Sequence, residues 1–381
     1  MMRLGISGRF YGADVTGVQR FAREVAHRLI AKADVTLLLP RGVQATGEQP
    51  ATTRTGRLRG HIWEQFEAPA MARAANVELM LHLSGTAPVR DGLAVMAVHD
   101  VLPLTNPEWF SWRFVRWYSF VLRTAAPRAA AIITVSEWSK REIIRTLGVP
   151  AHRVHVVLQG IGPFDGPASA TAVQSARERW ELPDRFVLAL GATDPRKNVG
   201  FVADVMSSWA RRWGHPPAVV VAGGEAPRVH GHGHADVAGA RVLGRVTDDE
   251  LRALYTAATA VCFPARAEGF GRTPLEAAAC GTPSLVANYG SAREAIDGAA
   301  LILPLDAAVW AESLYRLFNS AEERDAVVRR ARERTSLMSW DACAEHIFEV
   351  CTSVAHEARA RRLARASARG GTAAATGEQA G

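Results

Sequence analysis

The feature that most constrains this chain is a recurring unit: a short apolar run, a turn rich in Gly, Ser or Asp, and then a helical pattern. Parallel strands need a long crossover between them, and a helix is the usual one, so repeated units of this kind predict an α/β fold built on parallel sheets. The apolar runs predict strands at Val35–Leu39, Ala94–Val98, Ala131–Val135, Arg153–Val157, Phe186–Leu190, Ala218–Ala222 and Ala260–Phe263. Helices fall between them. From Gly17 to Ile30, for instance, Val18, Phe21, Ala22, Val25 and Leu29 recur at the spacing of one buried helical face.

With 381 residues the chain exceeds the usual size of one hydrophobic core, so two doubly wound domains are expected. The stretch Gly160-Ile161-Gly162-Pro163-Phe164-Asp165-Gly166-Pro167 has the composition of a linker. It sets a boundary near residue 170, with domains at 1–170 and 171–338. A helical pattern over 339–365 follows and has the length to pack across both. The segment 366–381 is mostly Gly, Ala and Thr without periodicity and reads as a disordered tail.

Forty-five basic residues against 38 acidic ones give a net charge of +7, so an anionic partner is expected. Phosphorylated small molecules, an anionic membrane surface and nucleic acid all fit such a balance, but no recognised nucleic-acid motif is present. Cys262, Cys280, Cys343 and Cys351 form no C-x-x-C pair and read as reduced core thiols. The apolar run at the N-terminus is too short for a signal peptide, and no stretch reaches the ~18 apolar residues of a membrane span. A cytoplasmic protein is the expectation.

The most informative stretch runs from Phe263 to Pro283 and reads as strand, loop and helix. Gly269 and Gly271 let backbone approach a ligand closely, and the free amides at the start of the following helix favour an anion such as a phosphate. Glu268 lies in the loop and Glu276 in the helix, so both carboxylates can face one cleft and accept from the paired hydroxyls of a sugar or a ribose. A structural reading competes for Glu276, because Thr273-x-x-Glu276 is also a capping box with Pro274 at the first helical position.

The Glu268-x7-Glu276 spacing, with E-G-F-G at its start and A-C-G-T-P after it, resembles the signature of the retaining glycosyltransferases of family four. These have the GT-B fold, two Rossmann-like domains facing across a cleft. Four further segments match in order: Thr16-Gly17-Val18-Gln19, Val98-His99-Asp100, Pro195-Arg196-Lys197-Asn198, and Gly244-Arg245-Val246-Thr247. Thr247-x-x-Glu250 is also a capping box, which explains most of that loop's polarity. The stretch Thr134 to Ser139 also looks like the family and reads as scaffold, with Ser136 capping the next helix.

The resemblance implies that Lys197, Arg196, Gly17 and the Gly269-Phe270-Gly271 backbone hold the diphosphate of a nucleotide sugar. It implies that Glu268 orients the donor sugar and Glu276 the ribose, while His99 approaches the sugar from the first domain with Asp100 beside it to hold the imidazole. Val246 would border the base and Glu294 would lie beside the donor. Where many relatives carry an arginine after the glycine of the Gly191 loop, this chain has Ala192. The context leans towards mannose or a related hexose on a guanosine carrier, and towards a saccharide, lipid-linked or natural-product acceptor. A GT-B phosphorylase or sugar-nucleotide epimerase is the alternative among enzymes, and an anionic-surface or nucleic-acid binder the alternative outside them.

No D-x-D occurs in the sequence, so no metal and no cofactor beyond the nucleotide-sugar co-substrate is expected. The His230-Gly231-His232-Gly233-His234 run reads as a surface loop rather than a metal site. Between Trp109 and Arg128, seven aromatic residues interleave with Arg113, Arg116 and Arg123, a pattern open to a helix lying on an anionic membrane or to a buried aromatic helix.

Overall fold

The computed structural model describes residues 2–47, 50, 52–91, 93–191, 194–223 and 239–377, with side chains through residue 364. Thirteen strands among them form two sheets in which every pairing is parallel. The first holds β1 (Arg3–Ser7), β2 (Asp34–Leu39), β3 (Thr52–Thr55), β4 (Leu79–His82), β5 (Ala94–Ala97), β6 (Ala131–Thr134) and β7 (Val154–Val156), in the order β3-β2-β1-β4-β5-β6-β7. The second holds β8 (Phe186–Leu190), β9 (Ala218–Ala222), β10 (Arg241–Gly244), β11 (Ala260–Phe263), β12 (Ser284–Ala287) and β13 (Leu301–Leu303), in the order β10-β9-β8-β11-β12-β13. Helices cover both faces of each sheet, which is why the central strands are apolar throughout, as in the fully buried Ala131–Thr134 and Ala260–Phe263. The result is the expected pair of doubly wound α/β lobes.

The helix Gly17–Lys32 buries Phe21, Ala22, Val25, Ala26 and Leu29 against the first sheet. The helix Trp340–Gly377 returns to the same lobe, where Trp340, Cys343, Ala344, Ile347 and Cys351 join that core. Its backbone stays helical through residues 366–377, part of the stretch expected as a disordered tail, where Ala, the strongest helix former, is the commonest residue. Residues 378–381 lie outside the described residues.

The connection at 157–169 joins the lobes and packs against them. Ile161 and Phe164 are buried, and Trp340 packs on Gly160 while its indole donates to the Gly162 carbonyl at 3.2 Å. The two chain crossings between the lobes are thus fastened to each other. All four cysteines are buried and free. Among the described residues no helix is long and apolar enough to cross a membrane.

Candidate active site

In an open parallel sheet, ligands bind beyond the carboxyl ends of the strands where the strand order reverses. The second sheet reverses between β8 and β11. The loop after β8 carries Asp194 to Asn198 and the loop after β11 carries Pro264 to Gly271. Backbone and side chain knit them: the Arg266 amide donates to the Arg196 carbonyl at 2.8 Å, and the Asn198 side-chain amide to the Pro264 carbonyl at 3.2 Å. Lys197 Nζ therefore lies 2.7 Å from Glu268 Oε1 and 4.6 Å from the centre of the Phe263 ring. Both side chains are largely shielded, Lys197 at 20% and Glu268 at 14% exposure, so the pair is only weakly screened by water.

Arg196 is committed differently. Its Nε and Nη2 donate to the two oxygens of Asp194 at 3.1 and 2.7 Å, and the guanidinium stacks on Phe110 of the other lobe. Burial works against its charge, but Glu268, Asp194 and Asp100 together outweigh that and hold it firmly protonated.

The first lobe faces these loops with the residues after β5. A Cβ built on Gly269 would lie 2.8 Å from the His99 carbonyl oxygen and 3.2 Å from Asp100 Oδ2, so the lobes touch here at a distance only glycine permits. Ser136 and Ser139 donate to the Gly269 carbonyl at 2.7 and 3.3 Å, and Ser136 at the same time caps the helix Glu137–Leu147. His99 is half-buried, and its loss of solvation lowers its pKa to about 4 with help from the nearby Arg272 charge, so the imidazole is neutral at physiological pH.

Asp100 does not hold the imidazole. Its Oδ1 accepts from the Leu102 amide at 3.0 Å, an Asx-type turn that leads into the following Leu102–Thr105 helix. The ring is oriented instead by Gln159, whose Nε2 lies 3.3 Å from Nδ1, and by Phe21 packed edge-on at 4.7 Å. An amide donating to Nδ1 leaves the proton of the neutral ring on Nε2. Burial raises the Asp100 pKa, against the opposing pull of Arg196.

The helix after the glycine loop begins at Arg272, ahead of the expected start at Pro274, with Gly271 as its N-cap at φ +88°. Thr273-x-x-Glu276 forms no capping box, because Gly271 rather than Thr273 occupies the cap. Glu276 turns away from the backbone, accepting from Arg272 Nη2 at 2.6 Å and from the Tyr255 hydroxyl at 3.1 Å. Phe270 is buried beneath the loop, and its carbonyl accepts from the Tyr289 hydroxyl at 3.4 Å.

His99, Arg196, Lys197, Glu268, Gly269, Phe270, Gly271 and Glu276 thus meet in one place. Two other candidates lie apart from it. Gly17 is open at the rim, with nothing within 4 Å of where a side chain would start. Val246 half-packs on the second-lobe core. Their flanking residues face each other across the rim through the ion pairs Asp14–Arg245, at 3.8 Å, and Arg20–Asp248. Thr247 and Glu250 form their capping box. The Glu294 carboxylate accepts from the Glu137 and Trp138 amides, capping from the second lobe the first-lobe helix whose Ser136 holds the Gly269 carbonyl. Ala192 and the His230–His234 run lie outside the described residues.

Neutral His99, the Lys197 ammonium and the backbone amides at Gly271 make a cleft suited to an anionic group whose charge grows as it leaves. The profile described as Glycosyltransferase Family 4 matches residues 15–163, and the one described as Glycosyl transferases group 1 matches residues 172–334, so the two take one lobe each. The chain belongs to the family-four glycosyltransferases. It is 31% identical over 217 residues to the Escherichia coli serotype-specific mannosyltransferase WbdA, covering 53% of this chain and 26% of that protein. It is 27% identical over 260 residues to the O-antigen chain mannosyltransferase B of Escherichia coli, covering 66% and 68%. The match to WbdA therefore spans about a quarter of that protein's length. Among solved structures, a sucrose-phosphate synthase from Thermosynechococcus elongatus superposes with a TM-score of 0.70 at 18% identity, covering 93% of this chain and 99% of that one. Anabaena HepE in complex with UDP superposes at 0.68 and 17%, covering 93% and 100%.

Three groups of this family-four chain receive no role from its sequence. Gln159 stands in the linker, and Arg272 lies within the Glu268-x7-Glu276 stretch just after its glycines. The third is a network at the carboxyl end of β1 and β4, the reversal point of the first sheet. Arg9 donates to Glu64 at 3.1 Å and to Thr86 at 2.8 Å, and Thr86 donates to Glu64 at 2.8 Å. Burial of Glu64 opposes its charge, yet Arg9, His61, His82 and Thr86 bring its pKa down to about 2. Glu64 sits in a π-helical turn, Trp63–Glu67, a local irregularity frequent at functional sites.

Proposed function

We propose that the chain transfers a hexose, with retention of configuration, from a nucleoside diphosphate sugar to a saccharide or lipid-linked acceptor. The observation that carries the reading is the Lys197–Glu268 pair, set on adjacent loops at the strand-order reversal, beside Gly269 where the backbone meets the His99 carbonyl. In this reading Lys197 neutralises the departing diphosphate together with the Gly271 backbone. Glu268 exchanges its partner for hydroxyls of the transferred sugar, and His99 Nε2 donates to that sugar from the other side. Arg196, tied to Asp194, contributes field rather than direct contact. Mannose as the transferred sugar is supported by two similar proteins named as mannosyltransferases.

The acceptor side is assigned to the first lobe, where the Arg9–Glu64–Thr86 network lies. Contact with an anionic membrane is supported by exposed Trp112 and Phe120 beside exposed Arg113, Arg116 and Arg123. The test is release of nucleoside diphosphate from a panel of nucleotide sugars, with saccharide and lipid acceptors, in the presence of a chelator. Acceptor-dependent turnover that survives chelation and falls about 10²–10³-fold in Lys197→Ala supports the reading. Turnover without acceptor, or a strict need for a divalent ion, overturns it.

A further inference from the structure

Four buried polar atoms on three neighbouring side chains have no protein partner. They are His99 Nε2, Gln159 Oε1, and Nε and Nη1 of Arg272. Buried polar groups are nearly always paired, and a cluster that is not paired marks a place where something else supplies the bonds. The three side chains share a neighbourhood. Gln159 holds His99, the Arg272 charge acts on His99, and the Arg272 guanidinium lies 5.7 Å from the ring of Trp340, the residue that packs on Gly160.

The position of Arg272 sharpens the case. It is the first residue of its helix, where the aligned peptide dipoles are already positive and a cation is disfavoured. Its side chain is only 11% exposed, so water screens little of that cost. Glu276 takes one of its nitrogens, Nη2, and offsets part of the charge, but Nε and Nη1 remain, donors in a planar guanidinium whose fork geometry matches phosphate oxygens.

We infer that Arg272 is a diphosphate ligand of this chain, binding the leaving group through Nε and Nη1 while Nη2 keeps Glu276 turned to the ribose. The inference rests on the nucleotide-sugar reading above and adds a residue that reading does not use. One guanidinium then ties the two ends of the nucleotide's polar half together. It supplies a second cation beside Lys197, while Arg196 stays locked to Asp194.

The experiment is calorimetric titration of GDP and UDP, and of GMP and UMP, into the wild-type chain, Arg272→Leu and Arg272→Lys. The expected result is a loss of about 10–100-fold in diphosphate affinity in Arg272→Leu, the range for a hydrogen bond to a charged group. Monophosphate affinity, which feels only the loosened Glu276 at the ribose, falls by a clearly smaller factor. Arg272→Lys keeps the charge without the fork and falls between, which keeps the proposal readable if the leucine variant misfolds. Equal losses for mono- and diphosphate would show that Arg272 acts only through Glu276 and the ribose, and unchanged affinities would show that it touches neither; either result overturns the inference. Failure of the wild-type chain to bind any of the four nucleotides overturns the nucleotide-sugar reading itself.

Discussion

Gly269→Ala tests the junction of the lobes. The added Cβ would stand 2.8 Å from the His99 carbonyl oxygen, a backbone atom that cannot rotate away, and 3.2 Å from Asp100 Oδ2. A carbon needs roughly 3.4 Å from such an oxygen, so the loop and the His99 strand must part by about 0.6 Å. That movement stretches the bonds from Ser136 and Ser139 to the Gly269 carbonyl, each worth about 1 kcal/mol net, and overpacking of this kind costs ~1–3 kcal/mol in all. A displacement near 1 Å at reacting groups costs about 10²-fold in rate. The variant should therefore lose about 10–100-fold in kcat/KM for the donor while its melting temperature drops by only a few degrees, both measured on the same preparation. Activity within twofold of wild type would refute the claim that this contact sets the working distance across the cleft.

His99 makes stability depend on pH. Its ordinary pKa of 6.5 falls to about 4 in the folded chain, so below pH 6.5 the unfolded chain takes up a proton that the folded one refuses. Stability is intact above 6.5 and declines as pH falls towards 4, by up to about 3 kcal/mol. Urea midpoints of wild type should drop more steeply across that window than those of His99→Asn, and parallel curves would contradict the assignment. Gly271→Ala places a methyl group against the Tyr289 hydroxyl at a φ of +88° and should cost several kcal/mol and most of the activity. The double variant with Tyr289→Phe should regain part of the stability, by thermal melting, and no regain would mean the backbone strain alone decides.

Strands that lie mid-sheet stand out in the sequence as unbroken apolar runs, Phe186–Leu190 and Ala218–Ala222 above all. The strands without such a run get their structure from pairing rather than from their own residues. Thr52–Thr55 and Arg241–Gly244 are largely exposed edges of the two sheets, and Leu301–Leu303 is a three-residue edge. Arg3–Ser7 and Leu79–His82 are central and buried, but Gly5 interrupts the first, and Leu-Met-Leu-His carries no β-branched residue. In the site, residues within the motif loops are legible from sequence because chain neighbours stay neighbours in space. What those loops lean on is not. Gln159 reaches His99 across 60 positions and Arg9 reaches Glu64 across 55, and neither separation leaves a trace in local pattern. The contacts of Glu294 are hidden for the same reason, since its partners Glu137 and Trp138 lie in the other lobe.

The proposed function rests on Lys197 and Glu268 binding a nucleoside diphosphate sugar. Thermal denaturation of the wild-type chain and Lys197→Ala against GDP-mannose and a panel of other nucleotide sugars addresses it directly. At a hundredfold excess over Kd a ligand adds about 2.7 kcal/mol, enough to raise the melting temperature by about 5 °C. The account predicts such a rise for one donor and its loss in Lys197→Ala; no rise with any donor, or a rise that the variant keeps in full, would contradict it.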